Sequence, residues 1–263
     1  MKSKLPKLSI VMPTYKAESF LNESIKRKIK VLDSLKCDFE LIVVLDGRSQ
    51  KGSKIVSGFG DKRIKLIHYK ANKGKGFAVV LGMKSATGDL IGYVDSGLDL
   101  HAGVIAKMYR TALETDADIV LGSKKHPRSA VDYPNSRRVF SSIYHTLVKV
   151  LLGVGVSDSQ TGAKLYRKGL VKAVLPRILV KRFAFEAEIL AVARRLGFDH
   201  FVEVPVSLKA DFESTVRFHD GFVAMWDTLA VFYRMRLIRY YDRNDIEWDE
   251  LMNLRTSNLD LLT

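Results

Sequence analysis

Apolar positions along this chain follow two alternating rhythms. Residues 8–12, 39–45, 64–68, 90–94 and 118–122 are short, nearly unbroken apolar runs bounded by Pro, Gly or Asp, the signature of strands buried on both faces. Between them the period changes to that of a helix, with Phe20, Leu21, Ile25, Ile29 and Leu32 on one stripe and Phe77, Val80, Leu81 and Met83 on another. A further helix fits residues 101–114. Strands alternating with helices predict an α/β fold, a mostly parallel sheet with helices on both faces. The second half is more irregular. A polar, basic loop over 123–138 carries Pro127 and Pro134, and helices fit 136–152 and 185–196. A strand fits 201–206, a turn 210–216 and a long helix 221–243. The expected division is a domain over 1–214 followed by an amphipathic helix and tail over 215–263.

The last helix changes the picture of the surface. Phe222, Met225, Trp226, Leu229, Phe232, Tyr233, Leu237 and Tyr240 make a broad apolar face, with Arg236, Arg239 and Arg243 on the other side. That pattern suits a helix lying in a membrane interface, and equally one packed on the domain or on a partner. The chain of 263 residues holds 43 Lys and Arg against 29 Asp and Glu, a net charge of +14. Such a charge suits a polyanionic partner: nucleic acid, an anionic membrane or phosphorylated small molecules. With one cysteine, Cys37, neither an internal disulfide nor a cysteine zinc site is expected, in keeping with a reducing compartment. No signal peptide is expected before the first strand, and no apolar run reaches the roughly 18 residues of a membrane span.

Candidate chemistry collects at strand ends. Residues 90–94 run into Asp95, and Asp99 follows after a Ser96-Gly97 turn. The two acids read either as turn and cap residues or as oxygen ligands for Mg²⁺ or Mn²⁺. Pro13-Thr14-Tyr15, Asp46-Gly47 and Gly122-Ser123-Lys124 close three other strands. In a parallel sheet these ends open on one edge, where ligands of α/β proteins bind. Tyr15 offers a stacking face, Asp46 an acceptor for a base or ribose, and Lys75 a cation in a glycine turn at a helix N-terminus that favours an anion. Glu186 and Glu188 open a helix, where acids suit the dipole whether or not they serve a site.

The order of these motifs resembles the family 2 glycosyltransferases. Residues 9–18 are similar to their first strand and loop, 43–47 to their Asp-Asp-Gly-Ser turn, 72–76 to their Asn-x-Gly-x-Gly and 94–97 to their Asp-x-Asp. Residues 122–126, Arg137-Arg138, 158–164, 183–188 and 203–206 are similar to the branch that makes polyprenyl- or dolichyl-phosphate sugars, the glucosyl type slightly favoured over the mannosyl. The resemblance implies a GT-A fold with its catalytic domain over 1–214. It implies a nucleotide sugar (UDP- or GDP-hexose) as donor, a polyprenyl or dolichyl phosphate as acceptor, and Mg²⁺ or Mn²⁺ as cofactor. Pro13, Thr14, Tyr15, Glu18, Asp46, Lys75, Gly76, Asp95 and Ser96 are its implied donor contacts. Asp95, Asp99, Lys124, Arg137, Arg138, Asp158 and Gln160 are its implied catalytic set, with Arg128 a further candidate for the lipid phosphate. Three departures stand out: Leu45 replaces the first acid of the Asp-Asp-Gly-Ser turn, Gly97 the second acid of Asp-x-Asp, and Lys124 an arginine. The expectation for Gly97 is that Asp99 restores the missing ligand.

A phosphate acceptor is already nucleophilic near neutral pH, so no catalytic base is required, and attack opposite the leaving group inverts the anomeric centre. The basic chain would reach its lipid as a cytoplasmic protein held peripherally on the cytosolic face of a membrane. Two rivals stand beside this reading: a family 2 enzyme acting on a glycan or protein hydroxyl, and a non-catalytic membrane or nucleic-acid binder on a decayed transferase fold. No nucleic-acid motif accompanies the charge, so nucleic acid is not the expected partner. Oligomeric state is not legible.

Overall fold

The computed structural model describes residues 5–132, 135–182, 184–209 and 218–243, the side chains of 135–143 and 218–222 excepted. A seven-stranded sheet forms its centre. In chain order its strands are β1 (Leu8–Thr14), β2 (Phe39–Asp46), β3 (Ile64–Tyr69), β4 (Leu90–Val94), β5 (Ile119–Ser123), β7 (Ala163–Arg167) and β8 (Phe201–Pro205). They lie side by side as β3-β2-β1-β4-β7-β5-β8. β7 runs antiparallel to both its neighbours, and the other pairings are parallel. Two short strands, β6 (Ala130–Val131) and β9 (Ser207–Leu208), pair as a separate ribbon.

Period-2 alternation sends the strand side chains to opposite faces. Ile10, Met12, Leu41, Val43 and Leu45 join one core with α1 (Leu21–Asp33), α2 (Gln50–Ser57) and α4 (Val104–Thr115). Val11, Ile42, Val44 and Tyr93 join the other with α3 (Lys75–Ser85), α5 (Asn135–Leu152), α6 (Lys168–Val174), α7 (Phe185–Arg195) and α8 (Phe218–Arg236). The expected parallel sheet with two helical layers is present, and the five strands read from the first half are there.

The second half departs from expectation in three places, and one further expectation falls outside the described residues. The segment after the 158–162 motif is a central strand, β7, which inserts antiparallel between β4 and β5. Its sequence, Ala-Lys-Leu-Tyr-Arg, carries a buried lysine that masks the apolar run. The basic loop after β5 is shortened by the β6–β9 ribbon, and α5 begins at Asn135. The expected turn at 210–216 lies in 210–217, outside the described residues. Last, α8 stops at Arg236, and Arg239 adopts a left-handed conformation (φ 48°) ahead of a 3₁₀ turn at Tyr240–Asp242.

The terminal helix buries a narrower stripe than its sequence suggested. Ala224, Thr228, Val231 and Met235 face the protein, where α8 packs on α5 and α7 and the Tyr144 and Thr228 hydroxyls meet at 2.9 Å. Trp226 is 70% exposed and Tyr233, Leu237 and Ile238 are also exposed. The helix is therefore part of the fold, with Trp226 and Tyr233 turned outward and Phe232 packed against the core. Among the described residues no helix is long and apolar enough to cross a membrane.

Candidate active site

The rim at the carboxyl ends of β1, β2 and β4 carries two aspartates in contrasting surroundings. Asp46 ends β2 and is 4% exposed. Its Oδ1 accepts from the Tyr69 hydroxyl at 2.9 Å and the Lys73 amide at 2.7 Å, and its Oδ2 from Asn72 Nδ2 at 3.0 Å and the Gly74 amide at 2.9 Å. The carboxylate thus clamps the 72–74 loop to the strand end. Gly74 takes φ 99° there, and a side chain on it would strike the Lys181 carbonyl. Beside this clamp lies a cleft of about 330 Å³ lined by Thr14, Tyr15, Glu18, Asp46, Arg48 and Asn72, among others. Tyr15 is half exposed on its edge, and Glu18 Oε1 accepts from Ser49 Oγ at 2.6 Å, a bond that holds the Glu18 carboxyl below its usual range.

Asp95 follows β4, and its side chain is 40% exposed. The Lys75 ammonium, in the first turn of α3, stands 2.8 Å from Asp95 Oδ1, 3.0 Å from Oδ2 and 2.8 Å from Glu186 Oε1. Lys164 from β7, fully buried, reaches Glu186 Oε2 at 3.2 Å, the Tyr93 hydroxyl at 3.1 Å and the Thr161 carbonyl at 2.7 Å. Desolvation would raise the Glu186 carboxyl, but Lys164 and Lys75 hold it below its usual value. Asp95 goes the other way: desolvation raises it, and Glu186 and Asp99 add to the rise against Lys75. Asp99 lies over Gly97. A Cβ built at Gly97 would run into the Asp99 carboxylate, which fills the space a side chain at position 97 would take. A Cβ at Gly162 would likewise run into the Asp95 carboxylate, and the Gly162 carbonyl accepts the Asp95 amide at 2.9 Å. Glycine at 162 is what lets the 158–162 loop close on Asp95.

The third cluster joins the ends of β5 and β7. Asp158 is 4% exposed and accepts from the Lys124 amide at 3.0 Å, the Gln160 amide at 3.1 Å and Thr161 Oγ1 at 2.5 Å, with Lys124 Nζ 3.6 Å away. Desolvation would raise its carboxyl, but Lys124 and these hydrogen bonds keep it below the usual range. Glu203 of β8 braces the same loop, accepting from the Ser157 amide and hydroxyl at 2.6 Å each. Gln160 Nε2 is buried without a hydrogen-bond partner among the described residues. A buried donor left open costs free energy, so an acceptor from a bound molecule suits it.

The implied donor contacts therefore gather along one rim. Pro13 and Thr14 end β1, buried; Tyr15, Glu18 and Asp46 line the cleft; Lys75 and Gly76 open α3 against α7, where a Cβ at Gly76 would strike Phe185. Ser96 accepts a hydrogen bond from Ser24 Oγ through its carbonyl at 2.6 Å. Asp95 and Asp99 are electrostatically coupled beside them. Arg128 is exposed; Arg137 and Arg138 fall in the first turn of α5, where side chains lie outside the described residues. Two contributors escaped the sequence reading. Tyr69 completes the Asp46 clamp with Asn72 of the 72–76 motif, and Lys28 of α1 lies buried beneath the Asp95 turn. Lys28 had a visible signal: it occupies a position of the buried stripe Leu21, Ser24, Ile25, Lys28, Leu32 where an apolar residue is the rule.

Residues 9–175 match the family described as glycosyl transferase family 2. The chain belongs to this family. It is similar to a dolichyl-phosphate beta-glucosyltransferase of Dictyostelium discoideum, 28% identical over 208 residues, covering 72% of this chain and 63% of that protein. A dolichyl-phosphate beta-glucosyltransferase of Trichomonas vaginalis is 29% identical over 251 residues, covering 90% of this chain and 76% of its own. The match thus spans less than two thirds of the length of the first of these relatives and about three quarters of the second. Glucosyl-3-phosphoglycerate synthase of Mycobacterium tuberculosis, solved with Mn²⁺, UDP and phosphoglyceric acid, superposes with a TM-score of 0.67 at 18% identity, over 91% of this chain and 80% of that one. That likeness establishes the shared fold.

Proposed function

We propose that this chain moves a hexose, glucose being the best match, from a nucleoside-diphosphate sugar to the phosphate of a polyprenol or dolichol, with inversion at the anomeric carbon. The observation that carries the reading is the Asp95 turn. A partly exposed carboxylate, Asp95, meets Lys75 and the Gly162 end of the 158–162 loop, and a second, Asp99, is folded into the space above Gly97, on the same sheet edge as the cleft at the ends of β1 and β2. The two dolichyl-phosphate beta-glucosyltransferase relatives support the acceptor and the sugar.

The donor set fits a hard divalent cation. Among the described residues no three His, Cys, Asp or Glu side chains converge into a protein-only cage. Mg²⁺ and Mn²⁺ do not need one: they bind through one or two carboxylates plus substrate phosphates. Asp95 and Asp99 would hold the ion, which supplies Lewis-acid stabilisation of the departing diphosphate. The chain's own residues do the rest. Tyr15 and the cleft take the nucleoside, and the clamp at Asp46 keeps the 72–74 loop and the start of α3 in place beneath the diphosphate. Lys75, shared between Asp95 and Glu186, is placed to meet the phosphates. Gln160 Nε2 is free to donate to the sugar or the incoming phosphate. Lys124, Arg128, Arg137 and Arg138 draw the lipid phosphate to the anomeric carbon. A dianionic phosphate needs no base, and Asp158, kept ionised and engaged by Lys124, Gln160 and Thr161, acts as a brace.

The exposed Trp226, Tyr233, Leu237 and Ile238, beside Arg236 and Arg239, suit docking on the anionic cytosolic face of a membrane. The full chain, incubated with polyprenyl-phosphate vesicles, Mg²⁺ or Mn²⁺ and a panel of UDP- and GDP-sugars, is expected to form lipid-phosphate hexose with UDP-glucose. Transfer to soluble hydroxyl acceptors alone would replace the lipid phosphate in this reading. Trp226→Asp is expected to cut binding to anionic vesicles several-fold while leaving transfer to a short-chain, water-soluble polyprenyl phosphate unchanged.

A further inference from the structure

We propose that Lys28 is a positioning residue for the cation site: it fastens the Asp95–Asp99 turn to α1 and offsets its charge, so that the two carboxylates take up a divalent ion together with the nucleoside diphosphate and not before it. This rests on the donor side of the function proposed above.

Lys28 is 2% exposed, on the stripe of α1 that packs against the sheet. Its ammonium donates to Ser24 Oγ at 2.8 Å, and Ser24 Oγ donates to the Ser96 carbonyl at 2.6 Å. The relay ends on the peptide between the two acids. An ammonium inside a core is costly unless opposite charge compensates it. Burial pushes Lys28 down to about 8, and the charges pulling it back up are first Asp95 and then Asp99. Lys28 therefore sits within the field of both proposed ligands without touching either. On the open side Lys75 contacts Asp95 directly. Two ammonium groups thus face two carboxylates, and Lys164 faces Glu186 behind them. A bare dication meets no net negative charge here. Once a diphosphate lies across the rim, its charge engages Lys75 and leaves Asp95 open to the ion. A methionine at position 28 would fill the same volume without the charge.

Mn²⁺ binding to the full chain, read by the electron spin resonance signal of free Mn²⁺, tests this without turnover. The wild type is expected to bind Mn²⁺ weakly alone and at least tenfold more tightly with saturating UDP or GDP. Lys28→Met is expected to tighten binding of Mn²⁺ alone about tenfold, the direction Coulomb's law requires, and so to shrink the gain from nucleotide. Lys28→Arg, which keeps the charge, should behave as wild type. A folded Lys28→Met with unchanged Mn²⁺ affinity, while the wild type still responds to nucleotide, overturns the inference and spares the proposed function. If Lys28→Met does not fold, the wild type decides: tight Mn²⁺ binding that UDP and GDP leave unchanged overturns the inference. A wild type that binds no Mn²⁺ under any of these conditions overturns both.

Discussion

The ends of β2 and β4 deliver an aspartate each to the same rim, with only β1 between them, and the two side chains do different work. Asp46 is buried and its two oxygens take four hydrogen bonds from Tyr69, Asn72, Lys73 and Gly74. Asp95 keeps part of its surface in solvent and meets one lysine. What separates them is the following loop. After β2 the chain returns at 72–74 with two amides and a side-chain amide aimed at the carboxylate. After β4 it turns through Ser96 and Gly97 and brings a second carboxylate instead. A carboxylate whose lone pairs are filled by its own chain builds the scaffold, and one left short of donors can take a ligand. Asp46, expected from the sequence as a contact for base or ribose, lines the cleft and also clamps the 72–74 loop.

The most severe way to break this contrast is from the 158–162 loop. Gly162→Ala places a methyl group where the Asp95 carboxylate lies. Displacing a catalytic group by about 1 Å costs on the order of 10²-fold in rate, and the same loss is expected here in the transfer assay. Overpacking destabilises by about 1–3 kcal/mol, so far-UV circular dichroism should still report a folded protein. A fully active Gly162→Ala would mean that Asp95 is not held where the contrast requires.

Next in size is the clamp itself. Asp46→Ala strands the Tyr69 hydroxyl and the Lys73 and Gly74 amides. Unpaired buried groups cost about 1–3 kcal/mol each, less where water enters from the cleft, so urea unfolding should show a loss of about 2–4 kcal/mol. Asp95→Asn, whose partner Lys75 keeps Glu186, should lose under about 1 kcal/mol by the same measurement. Equal stability losses at the two positions would erase the difference drawn between them.

The same contrast explains how much the sequence disclosed. The parallel half was legible because β1, β2 and β4 are buried on both faces and therefore read as continuous apolar runs. The strand ends Thr14, Asp46 and Asp95 were legible for the same reason, since a run that stops at a polar residue marks the rim. Asp99 stands out in the sequence because Gly97 lacks the second acid of the Asp-x-Asp turn and the resemblance puts a polar residue two places on; its carboxylate lies over that glycine. β7 was not legible, because Lys164 interrupts its apolar pattern to serve Glu186 and Tyr93 from inside the sheet. The division of labour between Asp46 and Asp95 was hidden too. It depends on donors from Tyr69 and from residues 72–74, more than twenty positions along the chain, and sequence spacing carries no record of where their N–H groups point. The terminal helix divided the same way: its period was visible, but which side faced inward depended on α5 and α7.

The mildest test reaches the β4 end from beneath. Burial pushes Lys28 down to about 8 in the folded chain, against about 10.4 when unfolded. Between those values the unfolded state binds more protons than the folded one, so stability rises with pH. The rise begins near pH 8, where the folded ammonium starts to lose its proton, and ends near 10.4. From about pH 7.5 to about pH 9.5 the group should add about 2 kcal/mol by this linkage. Lys28→Met lacks the group, so the difference between its unfolding free energy and that of the wild type should shrink by that amount over the interval, with the variant the more stable at the lower pH. Urea titrations at four or five pH values suffice, because changes common to both proteins cancel in the difference. A difference that stays flat would show that Lys28 pays no desolvation penalty in the fold. The ammonium would then be solvated or fully paired, and the Asp95 turn would owe its placement to Gly162 and Lys75 alone.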